Sequence, residues 1–428
     1  AACDPPVNAT APHDRARPSA EGTAPGRLDV LGGVADYSGS LVLQMPIALT
    51  TTVRITVREE PGLSFASGIE PPVTLPWPSD DVLEPAVCGE SVRGWLDSHG
   101  VPRWVRYPLG CLVLFSEAWR WRPTGGLAFS IRSAVPASMG VSSSAALEVA
   151  TLRGLEQVAG KSFTGTTLAR LAQRAENEIV GAACGLMDQL AVAHGRVGEL
   201  LPILCRPDVL HERVRLPEGA VVVGWPSGVR HAVADSPYAT ARAAAFMARR
   251  ILERETGTRL GFLSEMEPAA LAAVSHDQLP DAISGNAFLS RYDSLDDPQS
   301  RIDRNRRYPV RAAATFAIEE NARSALALQT LRDARPANRR DALVAVGELL
   351  MRSHAGYGDI GLGCSQTDAM VDAVRECGLD RGFYGARVSG GGSGGTVVVL
   401  AEAAARPLLD ELVARVTPNL GSGLRILQ

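Results

Sequence analysis

The sequence predicts an α+β chain of two domains. Three observations carry that reading. Strand-like and helix-like segments alternate along the 428 residues without a regular βαβ rhythm. Hydrophobic residues make up 46% of the composition, enough for more than one core. Strand character also restarts in VRLPEGAVVVGW after a long helical stretch, which sets a boundary near residue 215. The expected layout is a loose leader over 1–23, an N-terminal domain over 24–215 and a C-terminal domain over 216–428.

Composition narrows the function classes. A net charge of −4, with Lys161 the single lysine and no block of like charge, argues against a nucleic-acid surface. No apolar run is long enough for a membrane span. The first residues, rich in Pro, Ala and charge, lack the apolar stretch of a signal peptide. Seven cysteines without a CxxC pair fit a reducing cytoplasm better than a disulfide scaffold or zinc site.

The elements follow in order. Residues 24–58 read as strands, LDVLGG and then LVLQMPIALTTTVRITVRE, whose later part alternates with period two. Pro and Gly over 61–90 indicate an irregular excursion. RYPLGCLVLFSEAW reads as a buried helix, with a strand as the alternative because its apolar run is nearly continuous. LAFSIRSAV is a strand. SSSAALEVATLRGLEQVAG is a helix entered at serine and left at Gly160. TTLARLAQRAENEIVG is a second amphipathic helix. Beyond the boundary YATARAAAFMARRILERE is helical, 261–308 is polar, and the chain ends as helix, strand, glycine loop, strand and helix.

Four stretches bear on chemistry. PGRLDVLGGVADYSGS (25–40) strings Arg27, Asp29 and Asp36 along an apolar, glycine-spaced run. VPASMGVSSSAALEVA (135–150) passes from a strand end through a small-residue loop into a helix, whose free N–H groups and dipole can seat phosphate. There Gly140 allows close approach, and Ser142, Ser143 and Ser144 offer hydroxyls for phosphate or Mg²⁺; the plainer alternative is a serine-capped helix. YGARVSGGGSGGTVVVL (384–400) places five glycines in six residues between two strands, which suggests a ligand approached closely. In LAQRAENEIVGAACGLMDQLAVAHG (171–195), Glu176 lies on a helix and Asp188 opens the next, where it could serve only as a cap. Beside a phosphate seat, Asp188 could instead take the proton of an attacking hydroxyl while Glu176 holds a metal. Arg27 beside it would offset charge developing on a transferred phosphoryl group. GLEQVAGKS (154–162) imitates the phosphate loop G-x-x-x-x-G-K-[ST], but its spacing is one residue too long and it follows a helix end.

Taken in order, PGRLDVLGGVADYSGSLVLQMPI, RSAVPASMGVSSSAALEVA, RAENEIVGAACGLMDQ, PSGVRHAVADSPYATAR and GARVSGGGSGGT resemble the motifs of the GHMP sugar kinases. Within that family the chain resembles the galactokinase branch, and most of all its arabinokinase members, from about residue 24 to the C-terminus. The resemblance implies a ribosomal protein S5 domain 2-like N-terminal domain, a ferredoxin-like C-terminal domain, and an active site in the cleft between them. It implies ATP and Mg²⁺ as cofactors and a small sugar as partner, with no role for nucleic acid or membrane. Carried over by motif position, Asp188 and Arg27 are catalytic, and Ser144 and Glu176 are the Mg²⁺ ligands. Pro136, Ser138, Gly140, Val141, Ser142, Ser143 and Ser144 would hold the ATP phosphates, with Gly391 and Gly392 bordering them. Asp36, Gly185 and Tyr238 fall on sugar-contacting positions. One departure is Ala137, Ser138 and Met139, where the family commonly has glycines.

A second departure bears on the substrate. Galactokinases carry Glu-His at the positions of Gly33 and Val34, and that pair contacts the C6 hydroxyl of the sugar. L-Arabinopyranose keeps galactose's ring stereochemistry at C2, C3 and C4 and lacks the C6 hydroxymethyl group. Leaving two such polar groups unpaired would cost about 1–3 kcal/mol each, and Gly and Val remove that cost. The expected activity is therefore phosphorylation of the anomeric hydroxyl of L-arabinose. The alternatives are galactose or another galacto-configured sugar with a bulkier C6 substituent, a mevalonate- or homoserine-type substrate, and a non-catalytic sugar-sensing regulator. The joint presence of Arg27, Ser144, Glu176 and Asp188 speaks against the last.

Overall fold

The computed structural model describes residues 19–78, 88–206, 208–229, 237–418 and 426–428. Its first layer is an eight-stranded sheet built around one long strand. Strand β1 (Ser19–Leu31) pairs antiparallel with β2 (Leu41–Arg58) from Ser19 opposite Thr56 onward. In its later part β2 buries Val53 and Ile55 completely while Arg54 faces out, which is the period-two pattern at work. β3 (Leu63–Ser67) and β4 (Val73–Leu75) lie at one edge, against β5 (Gly126–Ser133). β6 (Glu199–Leu204), β7 (Val209–Leu210) and β8 (Val214–Arg215) complete the sheet.

Two expectations change here. Residues 19–23, assigned to a leader, begin β1; the rest of that segment lies outside the described residues. The stretch 61–90 is not irregular throughout. It supplies β3, β4 and the start of α1 (Cys88–Ser98), with 79–87 outside the described residues. Burial explains the strands: Leu63 and Phe65 are fully buried, and Phe65 stacks on Phe129 of β5 at 4.8 Å.

Helices cover the sheet's inner face. α2 (Arg103–Trp119) is the helix preferred for RYPLGCLVLFSEAW, and its near-continuous apolar run reflects burial from Leu109 to Phe115. α3 (Ser143–Ala159) packs along β1 and β2 and ends at Gly160, whose φ of 60° is that of a left-handed cap. That geometry disposes of the phosphate-loop imitation at 154–162. α4 (Gly165–Arg174), capped by the Thr164 hydroxyl accepting from Thr167 N–H, runs directly into a π-helical turn over Ala175–Val180. After Gly181 at φ 78° the chain turns into α5 (Met187–His194).

The second layer starts at β9 (Ala220–Pro226) and continues through α6 (Pro237–Thr256) and α7 (Pro268–Ala272). The short pair β10 (Ile283–Ser284) and β11 (Arg307–Tyr308) brackets α8 (Gly285–Tyr292). The polar stretch 261–308 is therefore structured, and its Leu271, Phe288, Tyr292 and Tyr308 pack on α6. Then come α9 (Val310–Arg332), α10 (Arg339–Asp359), α11 (Ser365–Cys377), β12 (Phe383–Ser389), β13 (Thr396–Glu402) and α12 (Arg406–Val416). β12, β13 and β9 form an antiparallel sheet in that order, and Leu427 bridges Gly224. One apolar cluster joins the layers: Leu28, Leu43 and Leu200 pack with Val222, Val398 and Leu400. Among the described residues no helix is long and apolar enough to cross a membrane.

Candidate active site

The small-residue loop before α3 is wound by three residues with left-handed φ, Ser138 (60°), Gly140 (68°) and Ser142 (58°). Ser138 takes that conformation where the family commonly has glycine, and Met139 beside it is buried in the shared core. Ser142 precedes the first turn of α3 yet makes no capping bond, so the serine-capped-helix alternative fails at this residue. Its hydroxyl is buried and has no hydrogen-bond partner among the described residues. A buried hydroxyl at a helix N-terminus with nothing to bind fits a loop shaped for phosphate oxygens. Pro136 and Val141 form the loop's sides, and Ser143 opens α3.

Arg27 stitches β1 to this loop. Its backbone N–H donates to the Val141 carbonyl at 3.1 Å and its Nη1 to the Gly140 carbonyl at 2.7 Å. Its Nε and Nη2 both donate to Oδ1 of Asp188, at 3.0 and 2.6 Å. The Arg27 side chain is 3% exposed and that of Asp188 is 27% exposed, so the acid is the more open of the two to a substrate. Asp188 lies in the first turn of α5 without capping it, and with both bonds on Oδ1 its Oδ2 is left for a ligand.

A cavity of about 160 Å³ opens beside this pair, lined by Arg27, Gly33, Val34, Asp36, Gly185, Asp188, Tyr238 and Gly391 among others. Residues expected on the sugar and residues expected in catalysis thus meet at one place. Asp36 is buried in a short 3₁₀ turn and accepts the Tyr37 N–H at 2.7 Å. Burial, followed by the charge of Asp188, pushes its carboxyl up to about 7, while Arg242 and the Tyr37 N–H pull the other way. A Cβ at Gly185 would overlap Oδ2 of Asp36, so any larger residue there would displace that carboxyl group. Gly391 stands 3.7 Å (by its own absent Cβ) from the Tyr238 ring, whereas Gly392 sits behind it against Leu362 and Tyr357.

Behind Asp188 lies an acidic cluster. Glu176, on the π turn, hydrogen-bonds the Ser144 hydroxyl and accepts from Gln189 Nε2 at 2.9 Å. Gln189 Nε2 also donates to Glu148 at 3.1 Å. Burial and the neighbouring Glu176 hold the Glu148 carboxyl well above its usual range. Burial and then Asp188 raise Glu176 as well, to about 7. One hydroxyl and crowded carboxylates are hard oxygen donors, and their mutual repulsion is what a divalent cation would relieve, so the residues fit Mg²⁺. Among the described residues no cluster of three or more His, Cys, Asp or Glu forms a complete metal site. Phosphate oxygens and water would have to finish the coordination.

Sequence reading passed over the node that holds these parts together. Asp29 is fully buried and accepts from Gly33 N–H (3.1 Å), Gln44 Nε2 (2.7 Å), Gly390 N–H (3.2 Å) and Arg387 Nη1 (3.1 Å). It therefore ties the turn carrying Asp36 to the glycine loop between β12 and β13. The glycine loop in turn abuts the serine loop: the Thr396 hydroxyl donates to the Met139 carbonyl at 2.7 Å. A lone charge inside each of two apolar strands, LDVLGG and GARVSG, was the available signal.

Family models for the GHMP kinases N terminal domain and the GHMP kinases C terminal domain match residues 106–196 and 334–417. The galactokinase of Homo sapiens is 31% identical over 92% of this chain and 86% of its own length. The chain belongs to the galactokinase branch of the GHMP kinases. The L-arabinokinase of Arabidopsis thaliana is 32% identical over 88% of the kinase, which spans 42% of that longer protein. Among solved structures, Lactococcus lactis galactokinase complexed with galactose matches with a TM-score of 0.74 at 21% identity, over 96% of the kinase and 93% of its own chain. A mevalonate kinase matches with a TM-score of 0.58 at 14% identity, over 95% and 97%. These likenesses show the two-domain GHMP kinase fold. The N-terminal match contains the serine loop, Glu176 and Asp188, and the C-terminal match contains the glycine loop.

Proposed function

We propose that this sugar kinase transfers the γ-phosphoryl group of ATP to the anomeric hydroxyl of L-arabinose, giving L-arabinose 1-phosphate. The observation that supports it is the small cavity walled by Gly33 and Val34, which retains Asp36 for the ring hydroxyls and has the Arg27–Asp188 pair beside it. Asp36 and Tyr238 would orient the ring, and Asp188 Oδ2 would accept the proton of the attacking hydroxyl. Arg27, fixed by four hydrogen bonds to the serine loop and Asp188, would stay in place as charge develops on the phosphoryl oxygens. Mg²⁺, held by Ser144 and Glu176, would supply charge neutralisation on the phosphates when bound. The serine loop and Gly391 would seat the phosphates. Cys111, Cys184, Cys205, Cys364 and Cys377 carry free thiols, in keeping with action in a reducing cytoplasm.

A panel of free sugars with ATP and Mg²⁺, scored by ADP release, tests this directly. L-Arabinose should be turned over with a kcat/KM about 10-fold or more above D-galactose. Equal or better rates on galactose would overturn the assignment, and absence of ADP release with every sugar would favour a sensing protein.

Asp36 adds a pH signature. Its carboxyl titrates near 7 in the fold against 3.8 when unperturbed, so the folded chain holds an extra proton between those values. Stability of the sugar-free kinase should accordingly decline as pH rises from about 4 to 7, with Glu176 acting in the same direction. Sugar KM should fall over the upper part of that range as the acceptor ionises. Asp36→Asn should flatten the KM profile, weaken sugar binding and raise the thermal midpoint at neutral pH. A KM profile unchanged by the substitution would remove Asp36 from sugar recognition.

A further inference from the structure

The backbone at Gly33 is pressed against one aromatic ring. Its φ is 50°, and a Cβ built there would overlap the hydroxyl oxygen of Tyr357 and come within 2.8 Å of Arg387 Nη2. Tyr357, near the end of α10, is fully buried. Its hydroxyl donates to the Gly390 carbonyl at 2.6 Å and accepts from the Val34 N–H at 3.2 Å. Phe316 meets the ring edge-on at 5.3 Å, and the Arg387 guanidinium lies over it at 5.1 Å. On another side, a Cβ at Gly392 would stand 2.8 Å from Tyr357 Cδ1. Two glycines, one from the sugar turn and one from the glycine loop, are thus packed on the same side chain.

We propose that Tyr357 is the specificity-determining partner of Gly33. The phenol fills the space that a side chain at 33 needs, and its hydroxyl fixes the Val34 backbone that walls the cavity. Tyr357 does not line that cavity, so it acts by positioning, and sugar preference belongs to the pair 33 and 357. The inference rests on reading the cavity as the sugar site. One consequence is that Gly33→Glu with Val34→His, the exchange suggested by the galactokinase motif, should give no gain on galactose while Tyr357 remains.

Four proteins decide the matter: wild type, Gly33→Ala, Tyr357→Phe and the double variant, each assayed for kcat, sugar KM and ATP KM. Gly33→Ala should raise sugar KM about 10-fold or more with ATP KM nearly unchanged. Adding Tyr357→Phe, which deletes the nearest clashing atom, should lower sugar KM from the Gly33→Ala level toward that of Tyr357→Phe alone. Independent structural damage would multiply instead, and a double variant worse than either single change would overturn the proposal. If Gly33→Ala fails to fold, Tyr357→Phe alone decides: it should raise sugar KM more than ATP KM, and equal changes in both would overturn the pairing. The rescue is read on whichever sugar the wild type phosphorylates, so loss of the arabinose preference defeats the preceding section and leaves this one standing. If no sugar is phosphorylated, the thermal midpoints of the same proteins report the coupling, and strict additivity overturns it.

Discussion

Asp188→Asn should lower kcat by about 10²–10⁴-fold while leaving ATP affinity close to wild type, because a positioned general base contributes on that scale. The substitution keeps the shape of the side chain. Arg27 can still donate through Nε and Nη2 to an amide oxygen at the Oδ1 position, and its bonds to the Gly140 and Val141 carbonyls are untouched. What is lost is the capacity to take a proton. Single-turnover ADP release and equilibrium ATP binding separate the two effects. Near-normal turnover would take Asp188 out of the base role, and a parallel loss of ATP binding would mean that the pair with Arg27 is chiefly a brace for the serine loop.

The largest expected effect on stability comes from Asp29→Ala. Breaking a buried ion pair by removing one partner costs about 3–5 kcal/mol, since the remaining charge is left uncompensated. Here that charge is Arg387, fully buried, whose Nε and Nη2 already have no hydrogen-bond partner among the described residues. Three further donors, on Gly33, Gln44 and Gly390, would lose their acceptor. Chemical denaturation should show the loss, and in whatever folds, sugar KM and ATP KM should rise together because the carboxylate grips both loops. A denaturation midpoint within error of wild type would show that the Arg387 charge finds compensation elsewhere.

The parts of the site that could be read from sequence are those whose signal is local. Arg27, Ser144, Glu176 and Asp188 sit in short stretches that each admit a plain capping or structural reading alone and gain a chemical one from their resemblance, in order, to family motifs, while the glycine loop announces itself by composition. The strands around them were readable from period-two burial, as at Val53 and Ile55. What escaped is set by assembly. Arg387 and Asp29 are 358 residues apart in the chain, and no local pattern pairs them. Tyr357 lies in a helical stretch that shows nothing of the two glycines folded against it. The strands in 61–90 were hidden because Pro and Gly mark turns more loudly than Leu63, Phe65 and Leu75 mark a buried edge. Ser142 misled in the opposite sense: serine before an apolar helix normally caps it, yet here the backbone is left-handed and the hydroxyl unused.

The widened turn at Ala175–Val180 has a consequence for how this gene can vary. A π turn accommodates one residue more than an α turn does, so the segment carries its own length as information. Loss of a single codon within it would let the backbone relax to ordinary helical pitch with little harm to folding. The relaxed turn would absorb the deletion and keep the flanking register, but it would remove the local widening that sets the bearing of the Glu176 carboxylate. In-frame deletions there should yield well-expressed but inert protein, while conservative exchanges on the outer face pass unnoticed.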